Sequence, residues 1–323
     1  MDVRGFWRIV DACRRAEHPH VALHDKLARL DPSAIAAFDG HFCDRVDDAF
    51  TWDLWGAAYM IEGASTEDEF LAFRYGLIAL GRSAFEQAVQ NPDTLARVDV
   101  EPSEEYGAVA LEVYRDATGQ KLARSSARSD PHGRRWDFDD VAERRQRLPK
   151  LQRKLAIEAF NELHLEAWEK TEQDDREGAD ELYARALTLL APDDRHDGIA
   201  LVHGNMMSNA EALGRMDDAR SHFATARRMR DRVLDTEQRA LLDNQLAWFA
   251  YEHGTKEECE EAVAWAPEAA ARSSEPLPVM DTEARLLIRL GREGAARAVV
   301  KRALAIDPYF EALQDLKARW KLG

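Results

Sequence analysis

Several features that mark particular protein classes are missing from this 323-residue sequence. Its three cysteines, Cys13, Cys43 and Cys259, stand far apart without a Cys-x-x-Cys pair, so neither a disulfide framework nor a structural zinc site is indicated. No window approaches the roughly 18 uninterrupted apolar residues of a membrane helix, and the N-terminus lacks the apolar run of a signal peptide. We therefore expect a cytoplasmic protein that does not bind membranes.

Basic charge is also in short supply. The chain carries 44 Lys and Arg against 60 Asp and Glu, a formal net charge of −16. A general nucleic-acid binder usually has a basic excess, so this composition argues against one. In residues 121–154, however, 11 basic residues outnumber 5 acidic ones. We interpret this segment as a solvated loop and helix facing the acidic second half; the alternative is an anion-binding patch that contacts nucleic acid.

Strand patterns and catalytic motifs are rare as well. Residues 108–113, the longer of two short strand candidates, also fit a helix over 103–117 that ends near Gly119. There is no Gly-rich phosphate loop and no Gly-x-Ser-x-Gly elbow. His20 and His24 are one helical turn apart, but no Glu completes a zinc motif, so we interpret them as a structural or solvent-exposed cluster. The sequence predicts an all-α protein without a metal or cofactor.

The second half, in contrast, contains a repeated pattern. An alanine is followed four residues later by a large apolar residue and three residues later by another alanine, with cysteine opening one unit. The first positions, 179, 219, 259 and 296, are 40, 40 and 37 residues apart. Small residues let two helices approach closely, and the large residue fills the groove between them. The four units are Ala179-Tyr183-Ala186, Ala219-Phe223-Ala226, Cys259-Val263-Ala266 and Ala296-Val300-Ala303.

This pattern resembles tetratricopeptide repeats over residues 156–323. The resemblance implies an α-solenoid of about four helix pairs, in which the first helix of each pair lines a groove that binds a protein or peptide. Asp174, Gly214, Gly254 and Gly291 precede the four units by five residues and are predicted turns between paired helices. The predicted partner-binding residues are Trp168, Ser208, Trp248, Tyr251 and Arg285. The alternative is that the two tryptophans pack between repeats.

The polar residues of this groove exclude one kind of partner. Asn205, Asn209 and Asn244 fall on the predicted groove helices, but no lysines accompany them. The charged clamp of the chaperone-binding members is therefore not present, and we do not expect a receptor for chaperone tails.

An acidic stretch opens a helix in the first half. Ser65 is the predicted N-cap of this helix, and Asp68 follows three residues later, as in a capping box. The acids at 67–69 fall in the first turn, where the helix dipole favours negative charge. Arg74 shares the apolar stripe of this helix and needs a carboxylate or carbonyl partner if it is buried. The helix is predicted to close at Gly81. We interpret the charges as caps and a structural ion pair rather than a catalytic cluster.

A set of motifs in the first half resembles a bacterial family, domain-of-unknown-function family 4240. They are Phe6-Trp7-Arg-Ile-Val-Asp-Ala, Leu54-Trp55-Gly-Ala-Ala-Tyr59, Asp68-Glu-Phe70-Leu-Ala-Phe73-Arg74, Asn91-Pro-Asp93-Thr-Leu95 and Trp136-Asp-Phe-Asp-Asp140. The resemblance covers about residues 1–155 and implies a compact, mostly helical domain. It supplies neither an activity nor functional residues.

The sequence thus predicts two domains, a helical domain over residues 1–155 and the repeat domain over residues 156–323. Our first hypothesis is a non-enzymatic interaction or regulatory protein that binds a partner in the repeat groove and masks it, as an immunity-type protein does. We predict no catalytic residues under this hypothesis.

The alternative hypothesis is an enzyme of unknown reaction whose site lies in the N-terminal domain. Glu67, Asp68 or Asp93 would act there together with Arg74. This hypothesis requires the acids and the arginine to converge on an open pocket with shifted pKa values.

Overall fold

The computed structural model describes residues 1–124, 130–190 and 196–322. These residues form α-helices and short 3-10 helices joined by turns and loops, and they contain no β-strand beyond one isolated bridge between Thr51 and His132. The predicted all-α fold is confirmed. The chain divides into two compact units, Met1–Ala156 and Ile157–Gly323.

The first unit is built from short helices around an aromatic core. The helices are α1 (Val3–Cys13), α2 (Pro19–Leu27), α3 (Pro32–Asp48), α4 (Trp52–Glu62), α5 (Glu67–Ala79), α6 (Arg82–Gln90), α7 (Glu104–Thr118) and α8 (Val141–Arg147). A 3-10 helix, Pro92–Arg97, follows α6, and α9 (Pro149–Glu172) begins in this unit. Residues 108–113 lie inside α7, which ends at Gly119 with φ 70°, so the helical interpretation of that segment is confirmed and the strand interpretation is wrong.

Aromatic rings from several helices fill the core of the first unit. Trp136 completes it from outside the helices, since its ring packs against α4 at Gly56. A Cβ at Gly56 would lie 2.1 Å from this ring, so only glycine leaves the required space. Leu148 and Leu151 belong to the same core. The completely buried aromatic side chains of the unit include Phe6, Phe38, Phe42, Phe70 and Phe73.

Helix α5 begins one residue later than predicted. Thr66, not Ser65, is the N-cap: its hydroxyl accepts from the Glu69 amide at 3.3 Å, and the Glu69 carboxylate accepts from the Thr66 amide at 2.9 Å. The Ser65 amide donates to the same carboxylate at 2.9 Å. The helix ends at Ala79, and Gly81 follows with φ 95° as the N-cap of α6. Adjacent Ser and Thr are both good caps, so local pattern alone does not separate the two registers.

The second unit is an α-solenoid of four helix pairs within its described residues. Second helices follow first helices in order, and the first helices of neighbouring pairs pack against each other, α11 against α13 and α13 against α15. After α9 come α10 (Arg176–Leu189), α11 (Gly198–Ala212), α12 (Met216–Met229), α13 (Thr236–His253), α14 (Lys256–Arg272), α15 (Pro276–Arg289), α16 (Glu293–Ile306) and α17 (Gln314–Arg319).

The repeated small and large residues all lie on the second helix of a pair. All of them are buried except Val263, which is half-buried. The turn positions also recur: Asp174, Gly214 and Gly291 have φ of 64°, 72° and 73°. Gly254 differs, with φ −72°, and a Cβ there would lie 2.4 Å from the Ala250 carbonyl oxygen. The third turn therefore uses glycine for space rather than for a left-handed backbone.

Membrane insertion finds no support in the part of the chain that the structure describes. None of its helices combines the length and the apolar character needed to cross a bilayer.

Candidate functional site

A cavity of about 310 Å³ opens on the first helices of the second unit. Helices α11, α13 and α15 supply most of its wall, and the segment after α16 supplies the remainder. The lining residues are Ser208, Glu211, Asn244, Gln245, Trp248, Pro278, Asp281, Thr282, Phe310 and Ala312. We call this cavity the groove pocket.

Trp248 is the largest apolar side chain in the groove pocket and is 38% exposed. Its ring packs against that of Tyr251, with centroids 5.4 Å apart and planes at 54°. The spacing of Leu241, Asn244, Trp248 and Tyr251 places all four on one face of α13. A partly exposed tryptophan held by a second ring has the character of a binding anchor, since little side-chain freedom remains to be lost on binding.

Asn244 carries an unsatisfied polar atom beside this anchor. Its side-chain oxygen is buried, and no hydrogen-bond donor reaches it from the described residues. The other two predicted groove asparagines are engaged: Asn205 donates to the Tyr183 hydroxyl at 3.1 Å, and the buried Asn209 donates to Asp180 at 3.1 Å. A buried acceptor without a donor costs about 1–3 kcal/mol. Because this oxygen is closed to solvent, an N–H group of a ligand in the groove pocket reaches it when the Asn244 amide turns toward the cavity.

The charged residues of the groove pocket are paired. The Glu211 carboxylate accepts a hydrogen bond from Nε2 of His253 at 2.7 Å. Asp281 accepts from Arg285 at 2.9 Å, and burial raises the pKa of Asp281 while this arginine opposes the shift. Arg285 also donates to the Ala312 carbonyl at 2.7 Å, which ties the segment after α16 to α15. Arg285 therefore shapes the wall of the groove pocket.

The predicted partner-binding residues are only partly brought together. Ser208 and Trp248 line the same cavity, Tyr251 joins them through its ring contact, and Arg285 is connected to the cavity through its ion pair. Trp168 lies on α9, is 49% exposed, and is not part of the groove pocket wall. Both tryptophans thus keep exposed surface, contrary to complete burial between repeats.

Phe310 was not predicted as a groove residue. It lies between the last repeat unit, which ends at Ala303, and helix α17. The signal was present in Asp307-Pro308, which stops α16 and lets the chain return across α15. The position of Phe310 against the groove is a long-range consequence that helix periodicity does not encode.

Asp93, one candidate acid of the enzyme hypothesis, is a helix cap. It is 5% exposed, and its carboxylate accepts from the amides of Lys150 at 2.8 Å and Leu151 at 2.9 Å. Those amides belong to the first turn of α9, where backbone N–H groups lack helical partners. A local role in structure therefore accounts for this acid.

Arg74, the predicted arginine of that hypothesis, lines a cavity that Asp93 does not line. It is buried, donates to the Val46 carbonyl at 3.1 Å, and lies 4.4 Å from the Phe50 ring centroid and 4.8 Å from that of Phe70. Asp68 is exposed in the first turn of α5. Glu67 and Arg74 line one cavity of about 210 Å³, whereas Asp68 and Asp93 do not line it, so the three candidate acids do not converge on this arginine.

The basic segment 121–154 makes ion pairs within the first unit. Arg147 pairs with Asp53 at 2.8 Å and Lys154 with Asp99 at 3.1 Å. Arg124 donates to both oxygens of the buried Asp39, and Arg144 pairs with Asp139. These four pairs engage side chains of the segment within the first unit, and the expected arrangement toward the acidic second half stays a prediction. Arg128 of this segment lies outside the described residues.

The histidines of α2 line a shallow cavity with three acids of α7. His20 and His24 face Glu104, Glu105 and Glu112 there. In the ranges that the structure describes, no cluster of three or more His, Cys, Asp or Glu side chains has the geometry to hold a metal ion.

Residues 1–121 match a protein-family model described as "Protein of unknown function (DUF4240)". This supports the resemblance of the N-terminal part, although the match ends before the expected position near 155. No curated protein and no solved structure matches the chain.

Proposed function

We propose that this protein is a non-enzymatic interaction or regulatory protein whose second unit, a tetratricopeptide-like array, binds a segment of a partner protein in the groove pocket. One observation carries the proposal: the partly exposed Trp248 ring lines a single open cavity together with Asn244, whose side-chain oxygen has no hydrogen-bond donor among the described residues. An extended peptide supplies both missing complements, an apolar side chain and a backbone N–H group.

The tetratricopeptide-like character rests on the register of the repeat. The small-large-small triplets occupy the second helix of every pair, and three of the four preceding turns have a left-handed residue at the same place. Stacked helix pairs of this kind create an extended surface along their first helices. The groove pocket lies on that surface.

The charge of the second unit favours a basic partner. Residues 157–323 hold 22 Lys and Arg and 33 Asp and Glu, a difference of −11. Such a field accelerates the encounter with a positively charged segment. Inside the groove pocket the acids are already paired, so affinity would come from the apolar anchor and the hydrogen bond to Asn244. We propose that the partner is masked by this contact, as in immunity-type or regulatory pairs.

Site-specific photo-crosslinking in the native cell tests this proposal. A full-length chain with a benzophenone amino acid at Ser208, inside the groove pocket, should crosslink one partner through a basic segment. The same amino acid at Leu234, which is 84% exposed and outside the pocket, is the control and should not. Mass spectrometry of the crosslinked peptides identifies the segment.

The Trp248→Ala variant supplies the quantitative test. Loss of a central tryptophan anchor costs about 2 kcal/mol or more, which lowers affinity for the identified segment about 30-fold. Trp168→Ala removes a tryptophan of similar exposure outside the groove pocket and should have a smaller effect. Equal crosslinking from both positions, or unchanged affinity after Trp248→Ala, would contradict the proposal.

A further inference from the structure

A second cavity, of about 210 Å³, lies between α3 and α5 in the first unit. Apolar and aromatic side chains form much of its wall, among them Phe42, Val46, Phe50, Leu71 and Tyr75. The guanidinium of Arg74 joins this apolar wall. We call this cavity the Arg74 pocket.

Arg74 is a buried cation that forms no ion pair with any residue in the described part of the chain. It is 4% exposed, its contacts are the Val46 carbonyl and the faces of two phenylalanine rings, and its Nε has no acceptor among the described residues. Burial lowers the pKa of Arg74 to about 10, so the side chain remains charged at neutral pH. A buried charge normally requires an oppositely charged, hydrogen-bonding partner.

The other charged groups of the cavity leave this need unmet. Arg124 already donates to both oxygens of Asp39. Asp47 and Glu67 line the cavity and raise the pKa of Arg74 by their charge, but neither forms an ion pair with it. Arg74 attracts one negative charge of a ligand. A second negative charge would have no cation to pair with and would be repelled by Asp47 and Glu67, so these two acids disfavour a dianion.

We propose that the Arg74 pocket binds a small monocarboxylate with an apolar body the size of one ring. The carboxylate accepts a hydrogen bond from the Arg74 guanidinium, and the opposite charges attract each other in this apolar surrounding. The body packs against Phe42, Phe50 and Leu71. An apolar cavity of about 150 Å³ holds benzene in another protein, so about 210 Å³ accommodates a ring with a short acid side chain.

A charge series of ligands tests the proposal on the full-length chain without altering Arg74. Calorimetry and saturation-transfer NMR would compare phenylacetate, neutral phenylacetamide and the dianion phenylmalonate at pH 7. We expect phenylacetate to bind at least tenfold more tightly than either analogue. Equal affinities for phenylacetate and phenylacetamide, or no binding of phenylacetate at millimolar concentration, would overturn it.

A filling variant tests the location. Leu71→Trp places a larger side chain in the cavity and should abolish phenylacetate binding, whereas Val141→Trp, an exposed position on α8, should not change it. Circular dichroism and the melting temperature report whether both variants stay folded. Unchanged affinity in a folded Leu71→Trp chain would contradict this site. The outcome is independent of the groove pocket, which lies in the other unit.

Discussion

At the scale of a single residue, Asp93 is a candidate catalytic acid in the sequence and a helix-capping residue in the structure. Its sequence context, Asn91-Pro-Asp93, indicates only a turn, and Asn91 does cap the 3-10 helix there. The partners of the Asp93 carboxylate lie 57 and 58 residues later, at Lys150 and Leu151. No local pattern reports such a distance, so the sequence leaves this role open.

Replacing Asp93 tests its structural role. Asp93→Ala removes the acceptor of two N–H groups in the first turn of α9, and we expect a loss of about 1–3 kcal/mol in the free energy of unfolding. Urea denaturation measures the change. Asp99→Ala removes an exposed acid that pairs with Lys154 and should cost less than about 1 kcal/mol. Similar losses in both variants would contradict the capping role.

A pair of histidines gives the second unit a dependence on pH. Nδ1 of His203 on α11 lies 2.9 Å from Nδ1 of His222 on α12. Burial, with the charges of His222 and Arg228, lowers the pKa of His203 to about 4, and burial also lowers the pKa of His222. In the unfolded chain a histidine titrates near about 6.5. Between about pH 6.5 and pH 4 the unfolded chain therefore binds more protons, so stability falls as pH falls.

Urea midpoints at pH 7 and pH 5 test this dependence. The wild-type chain should lose stability on acidification, and His203→Gln should lose less because one of the two titrating groups is absent. His18→Gln, at an exposed position of the first unit, serves as the control and should follow the wild type. A pH dependence that His203→Gln leaves unaltered would exclude the histidine pair as its source.

At the scale of elements, the turn before α16 and the first residues of α16 contain two glycines with different roles. Gly291, before α16, has φ 73°, a conformation that costs about 1 kcal/mol or more for a residue with a Cβ. Gly294, in the first turn of α16, has no neighbouring atom within 4 Å of an added Cβ. Their roles are therefore opposite, although only three positions separate them.

Alanine at each position tests this contrast. Gly291→Ala should lower the free energy of unfolding by about 1 kcal/mol, whereas Gly294→Ala should raise it by up to about 1 kcal/mol because glycine disfavours the helix. Thermal or urea unfolding followed by circular dichroism provides both values. If the two variants shift stability in the same direction, the turn is not restricted by its backbone conformation.

The sequence predicted the secondary-structure elements better than it predicted single contacts. The triplets at 179, 219, 259 and 296 predicted buried second helices, because close helix packing needs small residues at fixed spacing. The start of α5 was displaced by one residue, since Ser65 and Thr66 are both capable caps. Phe310 lines the groove pocket because the chain turns back across α15 after α16. The helical periodicity of the sequence does not report this turn, so only the structure shows the contribution of Phe310.

At the scale of the whole molecule, the first unit extends beyond the matched family segment. The match ends at residue 121, but Trp136, Leu148 and Leu151 are buried in the same core as α1. Trp136 fills the space that Gly56 leaves open on α4. A chain ended at residue 121 would lack these groups and expose the apolar surface that they cover.

Two fragments test the extent of this unit. Residues 1–156 should unfold cooperatively in urea, whereas residues 1–121 should show no cooperative transition and should bind a dye that recognises exposed apolar surface. Circular dichroism and dye fluorescence distinguish the two. A cooperative transition in the shorter fragment would show that Trp136 and the start of α9 are dispensable.

The late position of these core residues has a consequence for synthesis on the ribosome. Translation proceeds from the N-terminus, so α1 to α7 leave the ribosome before Trp136, Leu148 and Leu151 do. The nascent chain therefore carries an incompletely covered core, and an Asp93 without its partners, until residue 151 has emerged. During that interval the growing chain exposes apolar surface to which a chaperone can bind, and a pause in translation after residue 151 has emerged would give the core time to close.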